Sequence, residues 1–281
     1  MSTPLTPGPA KKSLGQHFLF DPSILTRVAT AGGPVQGRTV IEVGPGPGGL
    51  TRALLDSGAG KLLAVELDDR FAAGLSLWAE ARPQNGEPAR LHIHHGDALA
   101  ANLPALVQEI GGELPAMIVA NLPYNVGTPM LVEWLKAGQH AGAIWRGTMV
   151  LMFQKEVALR ICAAPDEDHY GRLAVLSQAV TRPRIALTLP PGAFRPPPKV
   201  DSAVVVLDPL PEAECFNDLA SLEKVTAAAF GQRRKMLRAA LKSLPGAVEA
   251  LENAGIDPTR RAETLTQAEF RALTKAWRAR A

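Results

Sequence analysis

The chain has 281 residues, enough for one large domain with a buried core and a smaller second unit. Its hydrophobic content of 46% and formal net charge of +3 are typical of a globular protein, and no apolar run reaches the roughly 18 residues of a transmembrane helix. The two cysteines, Cys162 and Cys215, lack the spacing of a disulfide framework or a zinc site, which favours a reducing, cytoplasmic location.

The first ten residues, M-S-T-P-L-T-P-G-P-A, lack the charged-then-apolar pattern of a signal peptide, and we expect a disordered leader at 1–10. Beyond it, short β-rich runs alternate with helical patterns such as Gly49–Ser57 and Arg70–Ala81. The runs predicted to be strands are Thr39–Val43, Leu62–Val65, Leu91–His94, Ala116–Ala120, Thr148–Phe153 and Ser202–Leu207. This alternation predicts an α/β fold, with a Rossmann-like parallel sheet and helices on both faces.

The pattern changes to helices alone after the linker Pro209–Pro211. The predicted helices are Leu219–Phe230, Arg233–Leu244, Ala247–Ala254 and Gln267–Arg278. From Phe230 to the end there are 11 Lys and Arg residues against 5 Asp and Glu, whereas residues 1–229 contain 19 against 22. We therefore expect an α/β domain at 11–208 and a small helical domain at 209–281 that binds an anionic partner. The alternative is a solvated basic helix face.

A glycine-rich turn, Gly44-Pro45-Gly46-Pro47-Gly48-Gly49, follows the first predicted strand and satisfies G-x-G-x-x-G. Glycines let a ligand approach the backbone closely, and Glu66 ends the next strand, where a carboxylate would meet ribose hydroxyls. Two prolines remove N–H donors that a pyrophosphate needs, which weakens the dinucleotide interpretation. S-adenosylmethionine has no phosphate and needs only the close approach and the acid. A purely structural glycine turn is the alternative.

Polar residues also follow the third predicted strand. Gly96-Asp97-Ala98 would place a carboxylate near the exocyclic amine of an adenine ring, although a lone Gly-Asp pair is more often a turn. His92, His94 and His95 lie just before it. Strand alternation divides these histidines between two faces, so we expect no metal site.

The segment Asn121-Leu122-Pro123-Tyr124-Asn125 follows the apolar run Ala116–Ala120, at a strand end where parallel sheets hold their chemistry. An adenine N6 amine is a poor nucleophile and needs acceptors for its hydrogens, which the Asn121 side-chain oxygen and the Leu122 carbonyl could supply. Pro123 would fix the loop, and Tyr124 would offer a flat face to an extruded base, worth about 1–3 kcal/mol. A polar turn with a packed tyrosine is the alternative.

Six segments, in the same order, resemble motifs of the ribosomal RNA small-subunit adenine N6,N6-dimethyltransferases of the KsgA type. They are Ser13–Leu19 (S-L-G-Q-H-F-L), Glu42–Gly46, Gly96–Ala98, Asn121–Asn125, Phe194–Val204 (F-R-P-P-P-K-V-D-S-A-V) and Phe230–Lys235 (F-G-Q-R-R-K). The ordered set is far more specific than any one segment. It implies a class I methyltransferase fold and S-adenosylmethionine-dependent dimethylation of two adjacent adenines in a hairpin loop near the RNA 3′ end, within a partly assembled small subunit.

The resemblance implies a role for each cofactor residue. His17 and Leu19 would border the methionine end of the cofactor, with Gly44 and the neighbouring loop glycine beneath it. Glu66 would bind ribose and Asp97 adenine. Position 17 is often asparagine in such proteins, so the contact made by the histidine is open. The full expected cofactor set is His17, Leu19, Gly44, Gly46, Glu66, Asp97 and Asn121.

The resemblance also implies the substrate contacts. Asn121 would touch both cofactor and substrate, and Phe194 would close over the target base opposite Tyr124. The residues expected to contact RNA are Lys199, Arg233, Arg234 and Lys235. We expect a monomer with no membrane partner.

Other interpretations remain open at this point. The first is a non-catalytic ribosome-assembly factor that binds RNA, which an intact Asn121–Tyr124 segment argues against. The second is a dinucleotide-dependent dehydrogenase, which the prolines of the glycine loop disfavour. The third is the related large-subunit RNA enzyme that confers macrolide resistance. The basic C-terminal end and the 194–204 motif of this chain resemble the small-subunit type more than that enzyme.

Overall fold

The computed structural model describes residues 16–81, 89–137 and 145–280, so the expected leader at 1–10 lies outside the described residues. The strands are β1 Phe18–Leu19, β2 Thr39–Val43, β3 Lys61–Glu66, β4 Leu91–His95, β5 Ala116–Ala120, β6 Arg146–Gln154, β7 Thr181–Leu189, β8 Phe194–Arg195 and β9 Ser202–Pro209. The helices are α1 Pro22–Ala29, α2 Gly49–Asp56, α3 Asp69–Glu80, α4 Leu103–Glu109, α5 Tyr124–Ala137, α6 Lys155–Cys162, α7 Arg172–Gln178, α8 Leu219–Gly231, α9 Leu237–Ala240, α10 Ala247–Asn253 and α11 Gln267–Arg278. Within these residues, none of the helices combines the length and apolarity needed to cross a bilayer.

Seven strands form one mixed sheet in the order β4-β3-β2-β5-β6-β9-β7. Strands β2 to β6 pair in parallel with their neighbours, and β9 is antiparallel to β6. The central strands β2 and β5 are buried along their whole length, as expected for a parallel sheet covered by helices on both faces. The predicted α/β fold is therefore confirmed.

The strand order places a topological switch point between β2 and β5. From β2 the chain builds outward through β3 to β4, and it then returns to add β5 on the opposite side of β2. The helices that follow β2 and β5 therefore leave the sheet in different directions, and a crevice opens at the carboxyl ends of these strands. The glycine turn and the Asn121 segment both begin at this crevice.

The described chain divides into two compact units. The first contains the described residues up to Lys155 together with Arg184–Asp208, and the second contains Glu156–Pro183 and the described residues from Pro209 onward. The sequence-based boundary at 209 coincides with one of these divisions. However, Glu156–Pro183, which was expected in the α/β domain, belongs to the second unit.

Contacts within the second unit explain the position of this segment. The Tyr170 hydroxyl donates to the Leu265 carbonyl at 2.9 Å. The Tyr170 ring is fully buried and packs edge-on against Phe230, with centroids 6.0 Å apart. Arg172 also forms an ion pair with Glu223. These partners lie more than fifty residues away along the chain, so the local sequence pattern of α6 and α7 does not reveal them.

The predicted helix Arg233–Leu244 is largely wrong. Helix α8 ends at Gly231, turns follow, and regular helix resumes only at α9, with a single 3-10 turn at Leu241–Ser243. The Leu237 N–H donates to the Arg260 carbonyl and the Arg238 N–H to the Pro258 carbonyl. These first N–H groups of α9 are therefore satisfied by a distant loop instead of by a preceding helical turn.

Three strands were not predicted. Strand β7 contains Pro183 between two arginines and shows no regular polar and apolar alternation, which obscures its character as an edge strand of the sheet. Strands β1 and β8 have two residues each and pair antiparallel, with Phe18 opposite Arg195 and Leu19 opposite Phe194. This short ladder joins the segment before α1 to the segment before β9, and it shapes one wall of the site.

Candidate active site

A cavity of about 260 Å³ opens at the carboxyl ends of β2, β3, β4 and β5, at the switch point of the sheet. Its walls come from residues 16–19, 42–47, 49–50, 65–68, 96–99 and 121–126, together with Leu25 and Met130. Ten residues predicted for cofactor binding or catalysis line it: His17, Leu19, Gly44, Gly46, Glu66, Asp97, Asn121, Leu122, Pro123 and Tyr124. Residues that are distant in sequence are thus brought together where a parallel sheet binds ligands.

The glycine loop is shaped by backbone angles that favour glycine. Gly44, Gly46 and Gly48 have φ values of 69°, 53° and 80°. A Cβ at Gly46 would also stand 2.7 Å from a ring carbon of Phe18. Gly44 donates its N–H to the Val65 carbonyl and Gly48 to the Pro45 carbonyl, both within the protein.

The loop has little capacity for a phosphate. The N–H of Gly46 donates to Glu66 Oε2 at 2.9 Å, and the two prolines have no N–H. Each backbone donor in 44–48 is therefore already used within the protein. A pyrophosphate needs free donors at this position, so the structure argues against a dinucleotide.

Glu66 forms the acidic wall of the cavity. Its side chain accepts hydrogen bonds from the N–H groups of Gly46 and Asp68, the latter at 2.8 Å to Oε1. Burial raises the pKa of Glu66, and the backbone hydrogen bonds counteract part of this rise. Each carboxylate oxygen has a second lone pair, so the group can accept further hydrogen bonds from the hydroxyls of a ribose.

Asp97 and two exposed leucines lie along the adjoining wall. Asp97 Oδ1 accepts the Leu99 N–H at 2.9 Å, which fixes the carboxylate in its turn. Leu67 and Leu99 also line the cavity and are 62% and 45% exposed. Two apolar side chains beside a carboxylate suit a flat aromatic ring that carries an amine, such as adenine. The two leucines were not predicted as site residues, although Leu67 directly follows Glu66 and Leu99 lies two residues after Asp97.

Glu42 is a buried carboxyl group that was not predicted as a site residue. It lines the cavity and is 1% exposed, and neither carboxyl oxygen has a hydrogen bond partner among the described residues. Burial raises its pKa to about 8, and the charge of Glu66 adds to the rise. The polar groups of Thr51 lower the pKa of Glu42 in part, although the Thr51 hydroxyl makes no hydrogen bond of acceptable geometry with the carboxyl group. The sequence signal that could have pointed to Glu42 is a glutamate within a strand predicted to lie at the buried centre of the sheet.

The Asn121 side chain has a defined orientation. Its Nδ2 donates to the His17 carbonyl at 2.9 Å. Because a carbonyl only accepts, the amide nitrogen must face His17, which leaves Oδ1 as the branch available to a ligand. Among the described residues no backbone N–H donates to the Leu122 carbonyl, since Val126 and Gly127 both donate to Pro123. Two acceptors thus remain unused at the end of β5.

Tyr124 begins α5 and is held from two sides. Its hydroxyl shares a hydrogen bond with the Ser202 hydroxyl, with the oxygens 2.5 Å apart. Burial raises the pKa of Tyr124, so the phenol stays neutral at physiological pH. The His17 ring is stacked on the tyrosine, with centroids 5.5 Å apart and an interplanar angle of 28°.

Phe194 is not brought to the cavity. Its side chain is 2% exposed and belongs to the hydrophobic core, where Leu19 and Leu25 are also buried. The expected position opposite Tyr124 is therefore not found in this structure. The β1–β8 ladder accounts for the difference, because it turns Phe194 toward the core while Arg195 remains exposed.

The predicted RNA-contacting residues differ in their availability. Lys199, in the first unit, is exposed. In the second unit, Arg233 forms an ion pair with Glu263 at 3.1 Å and donates to the Asp168 carbonyl, so its charge has a structural partner. Arg234 and Lys235 are exposed, and neither has an ion pair with any described residue. All three lie in the turn after α8 and not in the predicted helix.

Two of the three histidines in β4 have contacts of their own. The His92 ring hydrogen-bonds to the Ala89 carbonyl, and His95 Nε2 lies 2.7 Å from Asp69 Oδ1. Within 16–81, 89–137 and 145–280, no three His, Cys, Asp or Glu side chains are grouped so as to hold a metal ion.

Comparison with known proteins gives the family of the chain. The family profile "Ribosomal RNA adenine dimethylase" matches residues 9–278. The "Ribosomal RNA small subunit methyltransferase A" proteins of two bacteria are similar along nearly the whole chain. The Agrobacterium fabrum protein is 54% identical over 265 residues, with 93% of this chain and 90% of that protein covered. The Gluconobacter oxydans protein is 52% identical over 266 residues, with 95% and 82% covered.

A solved structure supports the fold. The dimethyladenosine transferase of Plasmodium falciparum superposes with a TM-score of 0.73 at 24% identity, covering 92% of this chain and 96% of that one. The match of the family profile to almost the entire chain confirms the resemblance inferred from the six motifs. The chain therefore belongs to the ribosomal RNA adenine dimethylase family.

Proposed function

We propose that this protein dimethylates N6 of two adjacent adenines in the 3′-terminal hairpin loop of small-subunit ribosomal RNA, with S-adenosylmethionine as methyl donor. The proposal is supported by membership of the family and by relatives named as small-subunit RNA methyltransferases. The observation that carries it is the Asn121 amide, which is fixed by His17 so that its oxygen is left for a ligand at the cavity.

The cavity has the chemistry that the proposed cofactor requires. Glu66 would accept hydrogen bonds from the ribose hydroxyls. Asp97 would accept a hydrogen bond from the adenine amine, with the adenine ring between Leu67 and Leu99. The glycine loop, whose N–H groups are already used, would give close backbone approach without phosphate binding. S-adenosylmethionine supplies an electrophilic methyl group on a sulfonium sulfur.

Asn121 Oδ1 and the Leu122 carbonyl would accept the two hydrogens of the adenine N6. These hydrogen bonds draw the nitrogen toward tetrahedral geometry and stabilise the positive charge that develops as it attacks the methyl carbon. Tyr124 would hold the extruded base against its ring. Each round would break the sulfur–methyl bond of one donor molecule, release S-adenosylhomocysteine and free one N6 proton, and a second round on the same amine would give the dimethylated product.

The second unit would hold the RNA through phosphate contacts. Arg234 and Lys235 are exposed cations without an ion pair among the described residues, and Lys199 is an exposed cation of the first unit. Such contacts position RNA without reading its sequence. We further propose that the protein is a cytoplasmic monomer and acts on a partly assembled small subunit, consistent with a role in ribosome biogenesis.

The test uses purified protein, S-adenosylmethionine and small ribosomal subunits that lack adenine methylation, followed by mass spectrometry of the digested RNA. We expect N6,N6-dimethyladenosine with the wild type and a near-complete loss with Asn121→Ala. Large subunits serve as the matched substrate control. Tight subunit binding without methylated adenosine would favour a non-catalytic assembly factor, and methylation of large subunits alone would favour the macrolide-resistance type of enzyme.

A further inference from the structure

His17 links three segments of the site through three different contacts. Its carbonyl accepts the hydrogen bond from Asn121 Nδ2 at 2.9 Å. Its ring Nδ1 lies 2.7 Å from the Pro196 carbonyl, and its ring is stacked on Tyr124. Because the Pro196 carbonyl only accepts, Nδ1 must carry the hydrogen in this arrangement.

The segment around His17 is held in place on both sides. The next residue, Phe18, pairs with Arg195 in the β1–β8 ladder, one residue before the Pro196 carbonyl that the imidazole contacts. The Phe18 ring packs against Gly46 and meets Phe71 edge-on at 5.6 Å. The backbone on which His17 is carried is therefore fixed relative to the glycine loop and to the segment that precedes β9.

The contacts of His17 fall on residues proposed to bind the adenine. Asn121 supplies an acceptor for N6, and Tyr124 supplies the face for the base. Phe194 is buried in the core, and among the described residues the ring stacked on Tyr124 is the imidazole of His17. The resemblance implied a role for this position at the methionine end of the cofactor, which does not account for these contacts.

We propose that His17 is a positioning residue for the target adenine, whose imidazole orients the Tyr124 ring beside the Asn121 amide, while the amide itself is held by the main-chain carbonyl that any residue at this position would supply. The inference rests on the proposed function and deepens it. The Pro196 hydrogen bond fixes the plane of the imidazole, and the stacked imidazole restricts the tyrosine ring. An ordered ring and an oriented amide are needed twice, because a monomethylated amine must be placed again for the second transfer.

The test compares His17→Ala with His17→Phe, which retains a flat ring but has no Nδ1–H. We expect the single-turnover rate of His17→Ala to fall at least about 10-fold at saturating cofactor, with a larger fraction of monomethyladenosine in the product. His17→Phe should recover part of the rate. The dissociation constant of S-adenosylhomocysteine, measured by calorimetry, should change by a smaller factor than the rate in both variants, because Glu66 and Asp97 are intact.

The outcomes separate this inference from the proposed function. Unaltered thermal unfolding and retained S-adenosylhomocysteine binding would exclude a folding defect as the cause of a lower rate. A wild-type rate and product ratio in His17→Ala would overturn the inference and leave the proposed function standing, as would a loss confined to cofactor affinity. Absence of methyl transfer by the wild type would overturn both.

Discussion

Replacing Glu42 with glutamine is expected to stabilise the protein at neutral and mildly alkaline pH. The carboxyl group is 1% exposed and has no hydrogen bond partner among the described residues, so its charged form is strongly disfavoured. Burial raises its pKa from an ordinary value of 4.5 to about 8. Glutamine has nearly the same shape and cannot ionise, so the pH dependence of the difference reports this one proton, whereas the cost of burying the amide hydrogens is the same at every pH.

The sign and size of the effect follow from proton linkage. Between about pH 4.5 and pH 8 the folded protein retains a proton that the unfolded chain releases, so the free energy of unfolding falls as pH rises. The slope for one group is at most about 1.4 kcal/mol per pH unit. The stability contribution of Glu42 is thus fully present below pH 4.5 and is lost by about pH 8. The raised pKa of Glu66 acts in the same direction, but it is common to both proteins and cancels in the comparison.

Urea unfolding followed by tryptophan fluorescence at several pH values between 5 and 8 would measure the difference. We expect the free energy of unfolding of Glu42→Gln to exceed that of the wild type by an amount that grows with pH. Glu109→Gln, at the exposed end of α4, is the matched control and should track the wild type. Parallel pH curves for Glu42→Gln and the wild type would refute the reasoning.

Three further predictions concern the site and the RNA contacts. Tyr124→Ala should lower the single-turnover rate by about 10-fold or more, whereas Tyr124→Phe, which keeps the ring, should lose less; quenched-flow transfer assays measure both. Gly46→Ala should destabilise the protein by about 1–2 kcal/mol, since its φ is 53° and its Cβ would meet an aromatic ring at 2.7 Å, and thermal unfolding reports this. Gly192→Ala, with open space around its Cβ, is the control. Arg234→Ala should weaken subunit binding and reduce the salt slope by about one, unlike Arg278→Ala, whose arginine is ion-paired.

Particular outcomes would contradict these three predictions. Equal rates for the alanine and phenylalanine variants of Tyr124 would mean that its ring does not hold the base. Unchanged unfolding of Gly46→Ala would show that the loop tolerates a side chain. An unaltered salt slope in Arg234→Ala would remove this residue from the RNA-binding surface.

The parts of the fold that were predictable from sequence are those set by local pattern. Strands β2 and β5 were predicted with their observed bounds, because each is rich in apolar or β-branched residues and ends at a glycine or a polar loop. The helix predicted across Arg233–Leu244 failed for a non-local reason, since its N–H groups bond to the loop at 258–260. The grouping of Glu156–Pro183 with the second unit depends on contacts of the same kind.

The site shows the same division between local and non-local information. Glu66, Asp97 and Asn121 were predictable because each lies at or just beyond the carboxyl end of a strand in a parallel sheet, where side chains converge. The burial of Phe194 depends on a two-residue ladder with Leu19, which no periodicity reveals. The three contacts of His17 likewise join segments more than one hundred residues apart.

The most direct test of the central claim is the number and position of methyl groups transferred to small ribosomal subunits that lack adenine methylation. Labelled S-adenosylmethionine gives the number at completion, and mass spectrometry of RNA fragments gives the position. The proposed function predicts two methyl groups on each of two adjacent adenines in the 3′-terminal hairpin loop, with a near-complete loss of transfer in Asn121→Ala. Completion at a single methyl group per adenine, or methylation at other positions, would contradict it.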